Sequence, residues 1–269
     1  MDRPAWQGRY PALGTLGPCP VCDSRYTLYV QDVLGSRTRT KIQQNFCMSC
    51  SSLFNFGSYE EDEKAFRDNA EYLKRQKDID APIFAQLANE VITRHRGNIK
   101  TALDVGCGIG LFVKALEQYG ICARGCDLNP YTAAYAREVV GINCVSEPLE
   151  RDQGRYDLIS SIQVFEHLRE PRVLFKQMLD RLNPGGSIYI SVPFVDREHW
   201  HHLWGASGRT EFTPSDPFHD NDVHIVHFSR RGLETMGKDF GAKSAEYWVS
   251  TNLSRRDSLD AYPGILFKF

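Results

Sequence analysis

The 269-residue chain has no run approaching the ~20 uninterrupted apolar residues that a membrane-spanning helix requires. Its first residues, MDRPAWQGRYPALG, lack the basic-then-apolar pattern of a secretory signal. Charge of one sign is also scarce: 32 Lys and Arg against 34 Asp and Glu leave a formal net charge of −2, which disfavours a protein that holds nucleic acid mainly through its overall field. There are no internal repeats and no low-complexity tracts, and 42% hydrophobic with 25% charged residues excludes disordered and collagen-like chains. A cytoplasmic location is expected. Cysteines stay reduced in that compartment, so the eight present are metal ligands, catalytic groups or small buried hydrophobes rather than disulfide staples.

Composition divides the chain into three parts. Residues 1–56 combine a Gly- and Pro-containing lead-in with short β-favouring runs such as Tyr26–Val30. Residues 57–98 are charged and helical, with Phe66, Ala70, Leu73 and then Ile83, Leu87, Val91 at helix spacing and a break expected near Asp80-Ala81-Pro82. From residue 99 to 269, short apolar strands alternate with amphipathic helices. Thr101–Val105, Cys122–Asp127, Asn143–Val145, Tyr156–Ile162 and Ser187–Val192 are the expected strands, a βαβ series that predicts an α/β fold with a parallel sheet.

Cys19-Pro-Val-Cys22 and Cys47-Met-Ser-Cys50 are two CxxC pairs with 24 residues between them. Each pair sets two thiolates on one turn, and two such turns complete a tetrahedron around Zn²⁺. A thioredoxin-like redox pair is the rival reading, but neither CxxC lies between a strand and a helix of a βαβ unit. All-thiolate sites also hold iron, so the pattern defines the geometry more firmly than the metal. Four cysteines leave no open coordination position, so the metal is structural. Between the pairs, Arg37, Arg39 and Lys41 alternate with Thr38, Thr40 and Ile42. On a strand this aims three cations at one face, either a phosphate-contacting stripe or a solvated surface.

Leu103-Asp104-Val105-Gly106-Cys107-Gly108-Ile109-Gly110 follows a strand and opens a helix. Glycines at alternate positions let the backbone turn sharply and admit a ligand close to the chain. The spacing is GxGxG, with Asp104 just before the first glycine. A carboxylate there favours a cofactor with a cationic amino-acid end and no pyrophosphate. Asp127 falls 21 positions after Gly106, at the end of the second strand, where a carboxylate accepts both hydrogen bonds of a ribose diol. Because Pro130 starts a helix, a competing reading makes Asp127 or Asn129 a helix cap.

These motifs resemble those of the class I S-adenosylmethionine-dependent methyltransferases, over about Thr101 to Phe269. LDVGCGIG, CDLNP, the segment Val145-Ser146-Glu147-Pro148-Leu149-Glu150 and the run YDLISSIQVFEHLREPRVLFKQMLDRLNPGGSIYISVPF carry the resemblance, in a form similar to the ubiquinone-methyltransferase-like and glycan-associated branches. It implies a doubly wound, seven-stranded Rossmann-like sheet, here beside a small N-terminal zinc ribbon. It also implies that Leu128 joins Asp127, and that Glu147 with Pro148 meets the adenine, although family members often show Asp where Glu147 stands.

Methyl transfer requires a nucleophile held in line with the sulfonium carbon and, for a hydroxyl, a proton acceptor. The end of the fourth strand presents Gln163, a candidate to line the cofactor, and Glu166 and His167, of which His167 titrates in the range of a general base. Six of the eight histidines (His199, His201, His202, His219, His224, His227) fall in an insertion at 194–228, with Asp216, Asp220, Asp222 and the aromatics Trp200, Trp204, Phe212 and Phe218. That segment reads as an acceptor-side lid, with a second metal as its rival reading. Tyr59 and Tyr72 are candidates to close over the cofactor or to pack in the core. The expected activity is methylation of a small-molecule acceptor, a sugar or glycan-linked hydroxyl. Two alternatives stand beside it: an RNA methyltransferase that grips its substrate with the ribbon, and a zinc-binding interaction protein with an inactive cofactor fold.

Overall fold

The computed structural model describes residues 17–34, 41–56, 70–195, 224–251 and 261–269. Arg37, Arg39, Tyr59, Phe66, His199, His201, His202 and His219 lie outside them, as do Asp216, Asp220, Asp222, Trp200, Trp204, Phe212 and Phe218. Two sheets organise the described residues. The larger is built from β4 (Thr101–Val105), β5 (Cys122–Cys126), β6 (Cys144–Val145), β7 (Tyr156–Ile162), β8 (Leu182–Ser191), β10 (Ser244–Thr251) and β11 (Ala261–Lys268). Their spatial order is β10-β11-β8-β7-β4-β5-β6. The pairs joining β4 to β8 are parallel, and β11 runs antiparallel to both β8 and β10. The α/β class and the seven-stranded doubly wound sheet expected from the sequence are present.

The central strands are apolar on both faces because both are covered. Ala102, Leu103, Leu158, Ile159, Ile188 and Ile190 have no exposed surface. On one face α1 (Ala70–His95) and α2 (Leu111–Glu117) pack through Leu87, Val91, Phe112 and Leu116. On the other, α4 (Pro171–Asp180) and α5 (Arg230–Asp239) contribute Phe175, Met178, Leu233 and Met236. Between α2 and α4, α3 (Pro130–Tyr135) continues into a wider turn at Ala136–Val140.

Two expectations are corrected. The helix does not break at Pro82; α1 runs through it without interruption. Proline removes one backbone donor and leaves the carbonyl of Asp78 without its helical partner. Both residues are exposed, so water can satisfy that carbonyl. Cys122 is exposed at the start of β5, whereas Cys107, Cys126 and Cys144 are buried among apolar neighbours.

The smaller sheet is antiparallel, in the order β1-β2-β3-β9, with β1 at Thr27–Leu34, β2 at Lys41–Cys47, β3 at Leu53–Phe56 and β9 at Val226–His227. Its fourth strand comes from the distant end of the chain: Leu53 pairs with His227 and Phe54 with Val226. Cys19, Val21, Cys47, Cys50 and Phe54 share one apolar core with Phe165, Phe175 and Phe228 of the larger unit. Arg172 of α4 donates to the Val21 carbonyl at 3.0 Å, and the Ser229 hydroxyl donates to the Cys50 carbonyl. No described helix is long and apolar enough to cross a membrane.

Candidate active site and metal centre

The order of the large sheet reverses between β4 and β7, and the loops leaving those two strands open at the same edge. Ligands in open α/β sheets bind at such a switch point, outside the carboxyl ends of the strands. The loop after β4 holds Gly106, Gly108 and Gly110 at φ of 72°, 54° and 80°, the left-handed region that favours glycine. At Gly106 a Cβ would meet Val164 Cγ2 at 2.5 Å, and at Gly110 it would meet Ile142 Cδ1 at 2.1 Å. Gly108 differs, because among the described residues a Cβ there would meet nothing within 4 Å. Its surroundings leave room for a ligand against the backbone.

Asp127 is tied to this loop. Its Oδ2 accepts from the Gly108 N–H at 2.8 Å and its Oδ1 from the Asn129 N–H at 2.9 Å. Each carboxylate oxygen retains a second lone pair, so the group is pinned in orientation with acceptor capacity left for a diol. Asn129, not Asp127, caps α3, through its side-chain oxygen and the N–H groups of Tyr131 and Thr132. Leu128 stands beside them, 72% exposed. Gly106 and Cys107 donate to the Cys126 carbonyl at 2.8 and 3.1 Å, which fastens the loop to the end of β5.

Asp104 lies beneath the loop, 3% exposed, and accepts from the Ser160 hydroxyl at 2.6 Å. Burial pushes its carboxyl up to about 7, against the opposing hydrogen bond from Ser160. Glu147 and Pro148, on the segment after β6, line a small cleft together with Arg124, Arg151 and Asp152. Gln163 follows β7 with φ at 56°, a left-handed backbone on a non-glycine residue. Its N–H donates to the Ser191 carbonyl at 2.8 Å and its side-chain amide to the Ser191 hydroxyl at 3.4 Å. Strain of this kind concentrates at functional sites, and nothing in the sequence signalled it.

The turn Phe165–His167 completes this edge. Glu166 is 1% exposed, and neither carboxylate oxygen has a hydrogen-bond partner among the described residues. Burial pushes its carboxyl up to about 8, so it is mostly protonated near neutrality. His167 Nε2 lies 4.0 Å from Glu166 Oε1. The His224 ring packs edge-on against that of His167, with centroids 5.0 Å apart. Donor atoms of Glu166, His167 and His224 all fall within 4.8 Å of one another. The sequence singled out His167 but treated His224 only as one of six clustered histidines.

The four cysteines Cys19, Cys22, Cys47 and Cys50 converge with all sulfurs within 4.8 Å. Sγ–Sγ distances are 3.7 Å for Cys19–Cys50 and 3.5 Å for Cys22–Cys47. A tetrahedron with Zn–S bonds of about 2.3 Å has edges of about 3.8 Å, so the spacing fits a bound zinc. Hydrogen bonds with Cys19 push the Cys22 and Cys47 thiols down, while hydrogen bonding within the same cluster and burial push the Cys19 and Cys50 thiols up.

Sheet order, glycine loop and carboxylate together define a class I S-adenosylmethionine-dependent methyltransferase. Residues 62–246 match the Methyltransferase domain family, and the chain belongs to it. The chain is 24% identical over 185 residues to a ubiquinone biosynthesis O-methyltransferase from Acinetobacter baylyi, covering 60% of this chain and 77% of that one. A ubiquinone biosynthesis O-methyltransferase from Coxiella burnetii is 30% identical over 101 residues, 35% of this chain and 43% of its own length. Among solved structures, the plantazolicin methyltransferase BpumL in complex with SAH has a similar fold. The two superpose with a TM-score of 0.54 at 15% identity, covering 77% of this chain and 91% of that one. An O-methyltransferase family protein from Burkholderia thailandensis gives 0.54 at 13% identity, covering 77% and 62%.

Proposed function

We propose that this chain methylates a hydroxyl of a small molecule, a sugar or glycan-linked metabolite, with His167 as proton acceptor and a structural zinc in the ribbon. The observation that carries this reading is the Asp127 carboxylate locked to the Gly108 N–H across the mouth of the glycine loop. S-Adenosylmethionine supplies an electrophilic methyl group on a sulfonium sulfur. Asp127 would hold the ribose diol, with Leu128 against the adenosine, and Glu147 with Pro148 would meet the adenine. Gly108, in a loop whose turn requires Gly106 and Gly110, would let the amino-acid end approach the backbone, and Asp104 beneath them would supply a carboxyl for its cationic charge. Gln163 lines the cofactor from the β7 side.

As the methyl–sulfur bond breaks, its electron pair staying on the sulfur as a neutral thioether, the O–H bond of the acceptor would break and its proton would pass to His167. Glu166, kept neutral by burial, places no carboxylate charge beside the imidazole. The names of the Acinetobacter and Coxiella relatives support an oxygen acceptor. The net charge of −2 weighs against RNA as acceptor, and a cytoplasmic setting suits a four-thiolate metal site.

The test is a screen of sugar, nucleotide-sugar, phenolic and RNA acceptors with labelled S-adenosylmethionine, read by mass shift. A +14 Da product on a sugar hydroxyl, with a single-turnover rate at least 100-fold lower in His167→Ala, is the expected result. Product only on RNA, with turnover falling steeply as salt rises, would overturn the acceptor assignment. A His167→Ala rate within a few-fold of wild type would remove the base. Metal analysis should give one zinc per chain in wild type and none in Cys47→Ser.

A further inference from the structure

We propose that the zinc ribbon forms a wall of the acceptor side, and that Asn55 is the positioning residue that transmits its state to His167. This inference rests on the placement of His167 at the acceptor. Residues 224–227 are held between two elements far away in sequence. On one side, the Asn55 N–H donates to the Ile225 carbonyl at 2.9 Å and the Asn55 side-chain amide to the His224 carbonyl at 3.0 Å. The same amide lies 3.5 Å from His227 Nε2. On the other side, the Ile225 N–H donates to the Glu166 carbonyl at 2.7 Å, one residue before His167.

The segment is therefore a strap bonded to the ribbon along one edge and to the His167 turn along the other. Asn55 is 5% exposed, so its amide has no ready replacement in water for the carbonyl it serves. The metal knuckle joins the same strap at its far end. Cys50 accepts from Ser229 through its carbonyl, and the Ser52 hydroxyl accepts from the Ser229 N–H at 3.1 Å. A change in metal occupancy thus has a route, through these hydrogen bonds and the backbone of the strap, to the residues that carry the His224 and His167 imidazoles. The glycine loop and Asp127 are fastened instead to β5 and α3, and none of these bonds includes a ribbon residue.

The experiment compares full-length wild type with Asn55→Asp, which keeps the shape, removes the amide donor and adds a carboxyl, and with Asn55→Ala, which removes the donor without charge and should give the same changes. Thr27→Val serves as a control, because Thr27 is buried in the ribbon and its hydroxyl bonds Gly17 rather than the strap. Readouts are zinc content, S-adenosylmethionine affinity by calorimetry, amide hydrogen exchange, and the imidazole NMR signals of His167 and His224 at fixed pH.

With zinc retained and cofactor affinity within two-fold of wild type, Asn55→Asp should speed exchange of the Ile225 amide at least ten-fold and shift both imidazole signals. Thr27→Val should leave them in place. Zinc removal from wild type by a chelator should reproduce the Asn55→Asp changes, and serves as the test if that variant does not fold. Unchanged Ile225 exchange and His167 signals, or equal loosening of the Gly108 amide, would overturn the proposal. Failure of wild type to bind S-adenosylmethionine would sink the functional reading instead, and the response of Ile225 and His167 would still decide the coupling.

Discussion

Single residues divide here into those that shape the backbone and those that carry charge. Gly106 and Gly108 share a left-handed conformation but not their surroundings. Gly106→Ala adds a collision with Val164 to the backbone strain and should cost about 3 kcal/mol in a denaturant titration. Gly108→Ala meets only the strain, about 1 kcal/mol, so it should fold and lose cofactor affinity instead. Charge acts through pH. Burial raises the Glu166 carboxyl to about 8 and that of Asp104 to about 7, so the folded chain keeps protons that the unfolded chain has released. Their contribution is full below the ordinary carboxylate value of about 4, declines as pH rises through 7 to 8, and then levels off. Denaturant midpoints at pH 5, 7 and 8.5 should fall in that order for wild type. Glu166→Gln should flatten the fall, and an unchanged slope would show that Glu166 is ionised in the folded chain.

At the scale of elements, periodic pattern was a reliable guide where one face of an element meets a core. The strands Thr101–Val105 and Tyr156–Ile162 stand where the alternation of strands and helices placed them, because parallel strands covered on both faces are mostly apolar, interrupted here by the hydrogen-bonded Asp104, Ser160 and Ser161. Helix α1 was harder to read, since proline usually ends a helix and only tertiary packing of Ile83, Leu87 and Val91 carries it past Pro82. Pro82→Ala restores the donor facing the Asp78 carbonyl and should stabilise the chain by about 2 kcal/mol, read as a rise in unfolding midpoint. No gain would mean that the helix already bends to accommodate the ring. The two-residue strand Val226–His227 was illegible. So short a segment has no period, and its partner lies more than 170 residues earlier, at Leu53–Phe54. The left-handed backbone of Gln163 was equally invisible, because no residue type advertises it.

Across the whole molecule, sequence motifs and topology converge on one edge of the large sheet. The glycine loop, Asp127, and Gln163 with the Glu166–His167 turn come from three separate stretches, and the reversal of strand order between β4 and β7 brings them together. The loop and acid of the proposed cofactor half were legible in the sequence because they obey fixed spacing. The proposed acceptor half depends on long-range contacts of His224 and Asn55 that no local pattern encodes. Calorimetry with S-adenosylmethionine tests the central claim most directly. Wild type should bind one equivalent, and Asp127→Ala, which removes both the diol acceptor and the anchor of the Gly108 N–H, should weaken binding at least ten-fold while remaining folded. Absence of binding by wild type, or unchanged affinity in Asp127→Ala, would contradict the account.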